Sequence, residues 1–97
     1  MTKTQTTDVA DTLAERSKRY GSFAEHANIT QTLKDAMRKH DNCIPWSNRL
    51  SKSQREALEM IAHKIGRILN GDPNYADSWH DIAGYAKLVE DEINDIN

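Results

Sequence analysis

The stretch Ser53–Gly71, "SQREALEMIAHKIGRILNG", decides the fold class. Leu58, Ile61, Ile65, Ile68 and Leu69 recur in it at the 3.6-residue period of an α-helix. Such a stripe gains stability by being laid against other elements, so the reading extends to its neighbours. Ser53 with Glu56 makes a capping-box pattern, with Ser51 as the alternative cap. Asn70-Gly71 is a helix stop.

Downstream, "GDPNYA" (Gly71–Ala76) can place Pro73 at a first helical position or form a turn with Asp77 as the cap. The second reading is preferred and starts a helix at about Ser78. Trp79, Ile82, Ala83, Ala86, Val89, Ile93 and Ile96 then line one long apolar face. Gly84, inside that helix, costs about 1 kcal/mol relative to alanine. Close approach of another helix is the expected compensation, and room for a ligand the next. Upstream, "HDNCIPWSNRL" (His40–Leu50) reads as a loop, because Pro45 disfavours helical geometry at Ile44 and Trp46 can anchor it to the core. Before it, Phe23, Ala27, Thr30, Leu33 and Met37 share one face of a helix capped by Ser22, with Glu25 at the reciprocal position. Gly21 separates this from a first helix that Asp8 can cap and that carries Val9 and Leu13. Residues 1–7 are expected to be a disordered tail, and 8–97 a single helical domain. No β-type alternation of useful length occurs. Four helices with short connections predict an all-α, antiparallel bundle of about four helices.

The chain has 97 residues, and 37% of them are hydrophobic. Counting the four glycines brings the apolar share to about 41%, below the usual ~45–50%. The core is therefore thin, and association into a homo-oligomer is expected to complete it. A net charge of −2 with only short basic runs argues against nucleic acid as partner. No apolar run approaches the ~20 residues of a membrane span, and the polar N-terminus lacks the apolar stretch of a signal peptide. Cys43 is the only cysteine, so no internal disulfide framework exists. A cytoplasmic location is expected.

Asp77 and Asp81, at i and i+4, project from one side of a helix and can share Mg²⁺, which takes one or two carboxylates and keeps its waters. Aspartates in a first turn are equally favoured by the helix dipole. Glu56 and Glu59 form an E-x-x-E pair. Lys64 and Arg67 lie one turn apart beside the core stripe, where an ammonium and a planar guanidinium suit phosphate; as ordinary exposed neighbours they would contribute little. Tyr85 can stack or hydrogen-bond, or serve as a half-buried core residue. No phosphate-loop or dinucleotide-binding glycine motif is present. His40 and Cys43 lack a partner pair for zinc, and His26, His63 and His80 show no ligand spacing among themselves.

"AERSKRYGSFAEHANI" (Ala14–Ile29) and "ALEMIAHKIGRILNGDPNYADSWHDIAGYAKL" (Ala57–Leu88) together resemble a family of small helical proteins carried by bacteriophages and prophages, mostly of unassigned function. The matching positions are Glu15, Arg16, Tyr20, Gly21 and Phe23; Met60, Lys64 and Arg67, with Glu59 out of register; and Asp77, Trp79, Asp81, Ile82, Ala83, Gly84 and Tyr85. The resemblance implies phage origin, hence the cytoplasm of a bacterial host, and kinship with a phage nucleotide kinase that lacks a P-loop. A looser likeness is to all-helical nucleotide pyrophosphohydrolases, which use E-x-x-E and E-x-x-D around Mg²⁺. Here Asp77 and Asp81 stand in place of the second pair, with different spacing. The resulting expectation is a protein that binds or converts a nucleotide, with Mg²⁺ as its cofactor. Lys64 and Arg67 would face phosphate, Asp77, Asp81 and Glu59 would hold the metal, and Tyr20, Trp79 or Tyr85 would contact the base. The alternative is a non-catalytic interaction protein that binds a host or phage protein.

Overall fold

The computed structural model describes residues 2–39 and 49–96, with side chains over 8–39 and 49–95. Among the described residues four long helices follow one another: α1 (Thr2–Tyr20), α2 (Phe23–Lys39), α3 (Lys52–Asn70) and α4 (Ala76–Ile96). No strand occurs among the described residues, and none of the helices is long and apolar enough to cross a membrane. The loop expected over His40–Leu50, with Trp46 as its anchor, falls mainly on residues 40–48, outside the described residues.

The helix signals act largely where the residues place them. Ser22 Oγ accepts from the Glu25 amide and starts α2. Of the two candidate caps for α3, Ser51 is the one used. Its Oγ accepts from Gln54 N–H while the Gln54 side chain accepts from Ser51 N–H, so the box closes on Gln54 and not on Glu56. Asp72 Oδ1 accepts from Asn74 N–H, which makes "GDPNYA" a turn; the expected cap at Asp77 is corrected, because α4 starts at Ala76 and Asp77 lies inside its first turn. The expected start of α1 at Asp8 is corrected. The helix is continuous from Thr2, and Asp8 lies inside it, its carbonyl accepting from Thr12 Oγ1. "TKTQTT" contains neither Gly nor Pro, so nothing there compels a break.

Helices α2, α3 and α4 form an antiparallel layer with α3 in the middle. Helix α1 joins the layer only at its C-terminal end, and every residue from Asp8 to Lys18 is exposed. That junction is tight. Gly21 takes φ +78°, a left-handed conformation that suits glycine, and its amide donates to Ser17 O. Asn70 Nδ2 donates to Tyr20 O at 2.9 Å and to Ser22 O at 2.8 Å, while Asp72 N–H donates to Arg19 O. A Cβ on Gly71 would collide with Arg19 O, so the two helix ends meet backbone to backbone.

The close approach expected at Gly84 is corrected. A Cβ there would meet nothing within 4 Å. The close approach is at Gly66, where a Cβ would press on Thr30 Cγ2 at 2.5 Å and on the His26 ring at 3.1 Å. Gly66 faces the buried side of α2, whereas Gly84 looks away from α3. Ala57 and Ala62 are the buried apolar residues of the described chain. Of the apolar face expected on α4, Ile82 and Val89 are half-buried, and Trp79, Ala83, Ala86 and Ile93 are exposed.

Candidate functional site

The residues expected to converge on a site go to three places. Lys64 and Arg67 are three positions apart on α3, and that rotation of about 60° separates them. Lys64 Nζ crosses to α4 and pairs with Asp81 Oδ2 at 2.9 Å. This contact holds the Asp81 carboxyl below its ordinary range. The Arg67 guanidinium instead lies over the Tyr20 ring of α1, 4.1 Å from its centre.

The three expected metal ligands are not brought together. Asp77 Oδ2 accepts from the Tyr75 hydroxyl at 2.9 Å, and this bond raises the tyrosine pKa. Glu59 points to the other side of α3 and pairs with Arg38 of α2 at 2.9 Å. Glu59 and Lys64 are five residues apart, about 140° around the helix, so Glu59 cannot share an ion with the carboxylate that Lys64 holds. Among the described residues no group of three or more His, Cys, Asp or Glu side chains is placed to hold a metal. Trp79 is not beside Arg67 either: its indole N–H donates to Pro73 O at 2.8 Å and braces the turn before α4. Tyr85 lines a separate groove between the start of α3 and the second half of α4, with Ser53, Glu56 and Leu88.

A pocket of about 460 Å³ opens where α1, α2 and α3 meet. Leu13, Arg16, Ser17 and Tyr20 line it from α1, Phe23 and His26 from α2, and His63 and Arg67 from α3. The size falls within the ~300–1,000 Å³ usual for small-molecule sites. Its floor is the imidazole pair: His26 Nε2 and His63 Nδ1 are 3.3 Å apart, one donating and the other accepting. Burial and then the Arg67 charge lower the pKa of both rings, that of His63 to about 4. At neutral pH both are therefore uncharged. His26 Nδ1 is buried against the Gly66 backbone. At the rim, Phe23 is 81% exposed. Arg16 is exposed and has no carboxylate partner among the described residues.

Chemically, the pocket offers two guanidiniums at an apolar, aromatic wall above neutral imidazoles. That combination suits a ligand with an anionic end and a flat end. Two of the expected ligand-binding residues, Tyr20 and Arg67, are in it. Arg16, Phe23, His26 and His63 join them only through tertiary packing. The one sequence hint was the segment Glu15–Phe23, in which Arg16 lies one helical turn before Tyr20.

No curated protein and no solved structure matches this chain. Residues 6–93, which include every residue that lines the pocket, match the family described as "Domain of unknown function (DUF6378)", and the chain belongs to that family.

Proposed function

We propose that this protein binds a nucleotide in the pocket between α1, α2 and α3. The observation that carries the reading is the placement of Arg67 over Tyr20, with Arg16 and Phe23 at the same opening. Arg67 and Arg16 take the phosphates, since guanidinium forks match phosphate oxygens in pairs. Phe23 offers its exposed ring to the base, above the paired imidazoles of the floor. Lys64, held by Asp81, is a reserve of charge beside the site and not a direct ligand. Magnesium would enter with the phosphates and not on a protein carboxylate, since Asp77, Asp81 and Glu59 are engaged by Tyr75, Lys64 and Arg38. The phage setting implied by the sequence resemblance is consistent with nucleotide handling.

Titration calorimetry against a panel of ribo- and deoxynucleotides, with and without Mg²⁺, tests this. Micromolar binding to at least one nucleotide is expected, weakened at least about tenfold by Arg67→Ala, which removes a charge-assisted contact of roughly 1.5–3 kcal/mol. Binding no tighter than millimolar across the panel, or binding indifferent to Arg67→Ala and Arg16→Ala, defeats the proposal.

A second reading has its own observation. Val9, Leu13 and Phe23 are 57%, 63% and 81% exposed along α1 and the start of α2. An exposed amphipathic helix of this kind fits the groove of a host or phage protein. Val9→Glu separates the readings, because it lies outside the pocket and would weaken protein capture while leaving nucleotide affinity unchanged.

A further inference from the structure

We propose that His63 is a nucleophile at the floor of the pocket, and that the protein passes the terminal phosphoryl group of a nucleoside di- or triphosphate to water by way of this side chain. The donor rests on the nucleotide reading; the nucleophile rests on a chain of contacts running in from Gly66. An imidazole nitrogen attacks only with a free lone pair, and in a neutral ring one nitrogen has it and the other carries the proton. Which is which in His63 is set from the buried end of the pair. Gly66 has no side chain, so the His26 ring can lie on its backbone, where a Cβ would stand 3.1 Å from Nδ1. That backbone contact favours the protonated form of His26. The group there is therefore an acceptor, the Gly66 carbonyl, and the proton of the neutral ring sits on the buried Nδ1. His26 Nε2 then holds the lone pair. It lies 3.3 Å from His63 Nδ1, so His63 donates there and its own lone pair falls on Nε2. That atom has no protein partner among the described residues and is not buried, and the ring lines the pocket.

The surroundings suit attack on phosphorus. Burial, then the Arg67 charge, keeps His63 unprotonated at neutral pH, as an activated nucleophile must be. Arg16 and Arg67 line the same pocket, and guanidiniums stabilise the charge spread over a transferring phosphoryl group. The protons of both rings are engaged within the chain of contacts, and no Asp or Glu lines the pocket, so no acid is placed to protonate a leaving group. A phosphoanhydride oxygen can depart without a proton and a sugar alkoxide cannot, which selects di- and triphosphates over monophosphate esters. In the first step the Nε2 lone pair forms an N–P bond while the bridging P–O bond breaks, its electron pair leaving with the shortened nucleotide. The positive charge on the ring is shared through Nδ1–H with His26 Nε2. In the second step a water oxygen bonds to phosphorus, the N–P electron pair returns to Nε2, and the water proton passes to solvent. The sum is hydrolysis of one phosphoanhydride bond by one water, releasing orthophosphate and a proton.

The full chain is tested at neutral pH with ATP, dATP, GTP and dGTP, each supplied with Mg²⁺ and labelled on the terminal phosphoryl group. Rapid quenching in alkali should trap label that is stable in base and lost in acid, the mark of a phosphoramidate, and digestion should place it on the peptide that holds His63. Orthophosphate should be released over many turnovers, and none from AMP. His63→Gln, which keeps a partner for His26, should lose both label and release while keeping its helical circular dichroism and still binding nucleotide. A triphosphate that binds by calorimetry yet yields neither label nor orthophosphate overturns the chemistry and leaves the binding proposal standing; no binding by any nucleotide overturns both. Release that His63→Gln does not slow overturns the inference, and so does release that needs His63 but leaves no trapped label, because the imidazole would then act as a base toward water. If His63→Gln does not fold, the position of the label on the wild-type chain still decides: a phosphorylated residue other than His63, or none, is the overturning result.

Discussion

Mild acid should loosen the α2–α3 contact through one imidazole. His63 is faced by His26 and Lys34 of α2 and by Lys64 and Arg67 of its own helix. Arg16 of α1 stands at the pocket rim, and the carboxylate one turn away on α3, Glu59, is taken by Arg38. Burial, then this positive surround, lowers its pKa from 6.5 to about 4, and burial followed by Arg67 lowers that of His26. In the unfolded chain both rings titrate near 6.5. Between about pH 6.5 and 4 the unfolded state therefore binds more protons than the native one, so stability falls as pH falls through that window. Above it the contribution is fully present. A drop from 6.5 to about 4 would correspond to ~3 kcal/mol in a dry site. His63 is only half-buried, and screening reduces this to roughly 1–2 kcal/mol. Urea unfolding followed by helical circular dichroism, at one fixed protein concentration, measures it between about pH 7 and 5, above the range where most carboxylates titrate. His63→Gln keeps a hydrogen-bonding partner for His26 but carries no titratable proton, so it should flatten the dependence. Equal wild-type stability at the two pH values, or an undiminished fall in His63→Gln, refutes the argument.

The two helix-interior glycines should respond in opposite directions. Gly66→Ala drives a methyl into Thr30 and the His26 ring and should cost about 1–3 kcal/mol by overpacking, whereas Gly84→Ala meets open space and should add up to about 1 kcal/mol in denaturant titrations. Asn70→Ala removes both bonds to the α1–α2 junction. It should cost roughly 1–3 kcal/mol by leaving partners unpaired, and amide exchange should speed up at Tyr20 and Gly21 before α3. Nucleotide binding should take up protons near pH 5.5, since phosphate beside His63 favours the imidazolium and raises its lowered pKa. Calorimetry in buffers of different ionisation enthalpy reads the uptake, and none at that pH would place the phosphate elsewhere.

What the residues determine alone is the local part of this protein. The period of Leu58 to Leu69, the cap at Ser22, the turn in "GDPNYA" and the stops at Gly21 and Gly71 each depend on neighbours within a few positions, so the four described helices are legible, whereas the starts of α1 and α4 and the choice of Ser51 over Ser53 are not. The pairing of Asp77 and Asp81 on one side of α4 is legible for the same reason. Tertiary structure alone decides which side chains meet across helices. Glu59 goes to α2 and Lys64 to α4 because a few residues of helical rotation point them apart, and no linear spacing records where the neighbouring helices lie. His26 and His63 are 37 positions apart in sequence but 3.3 Å apart in space. The close approach belongs to Gly66 and not to Gly84 because a glycine's effect depends on what stands opposite it. The candidate pocket thus lies where α1, α2 and α3 meet, since a pocket is made by the crossing of helices and their sequences specify that crossing only through the packing as a whole.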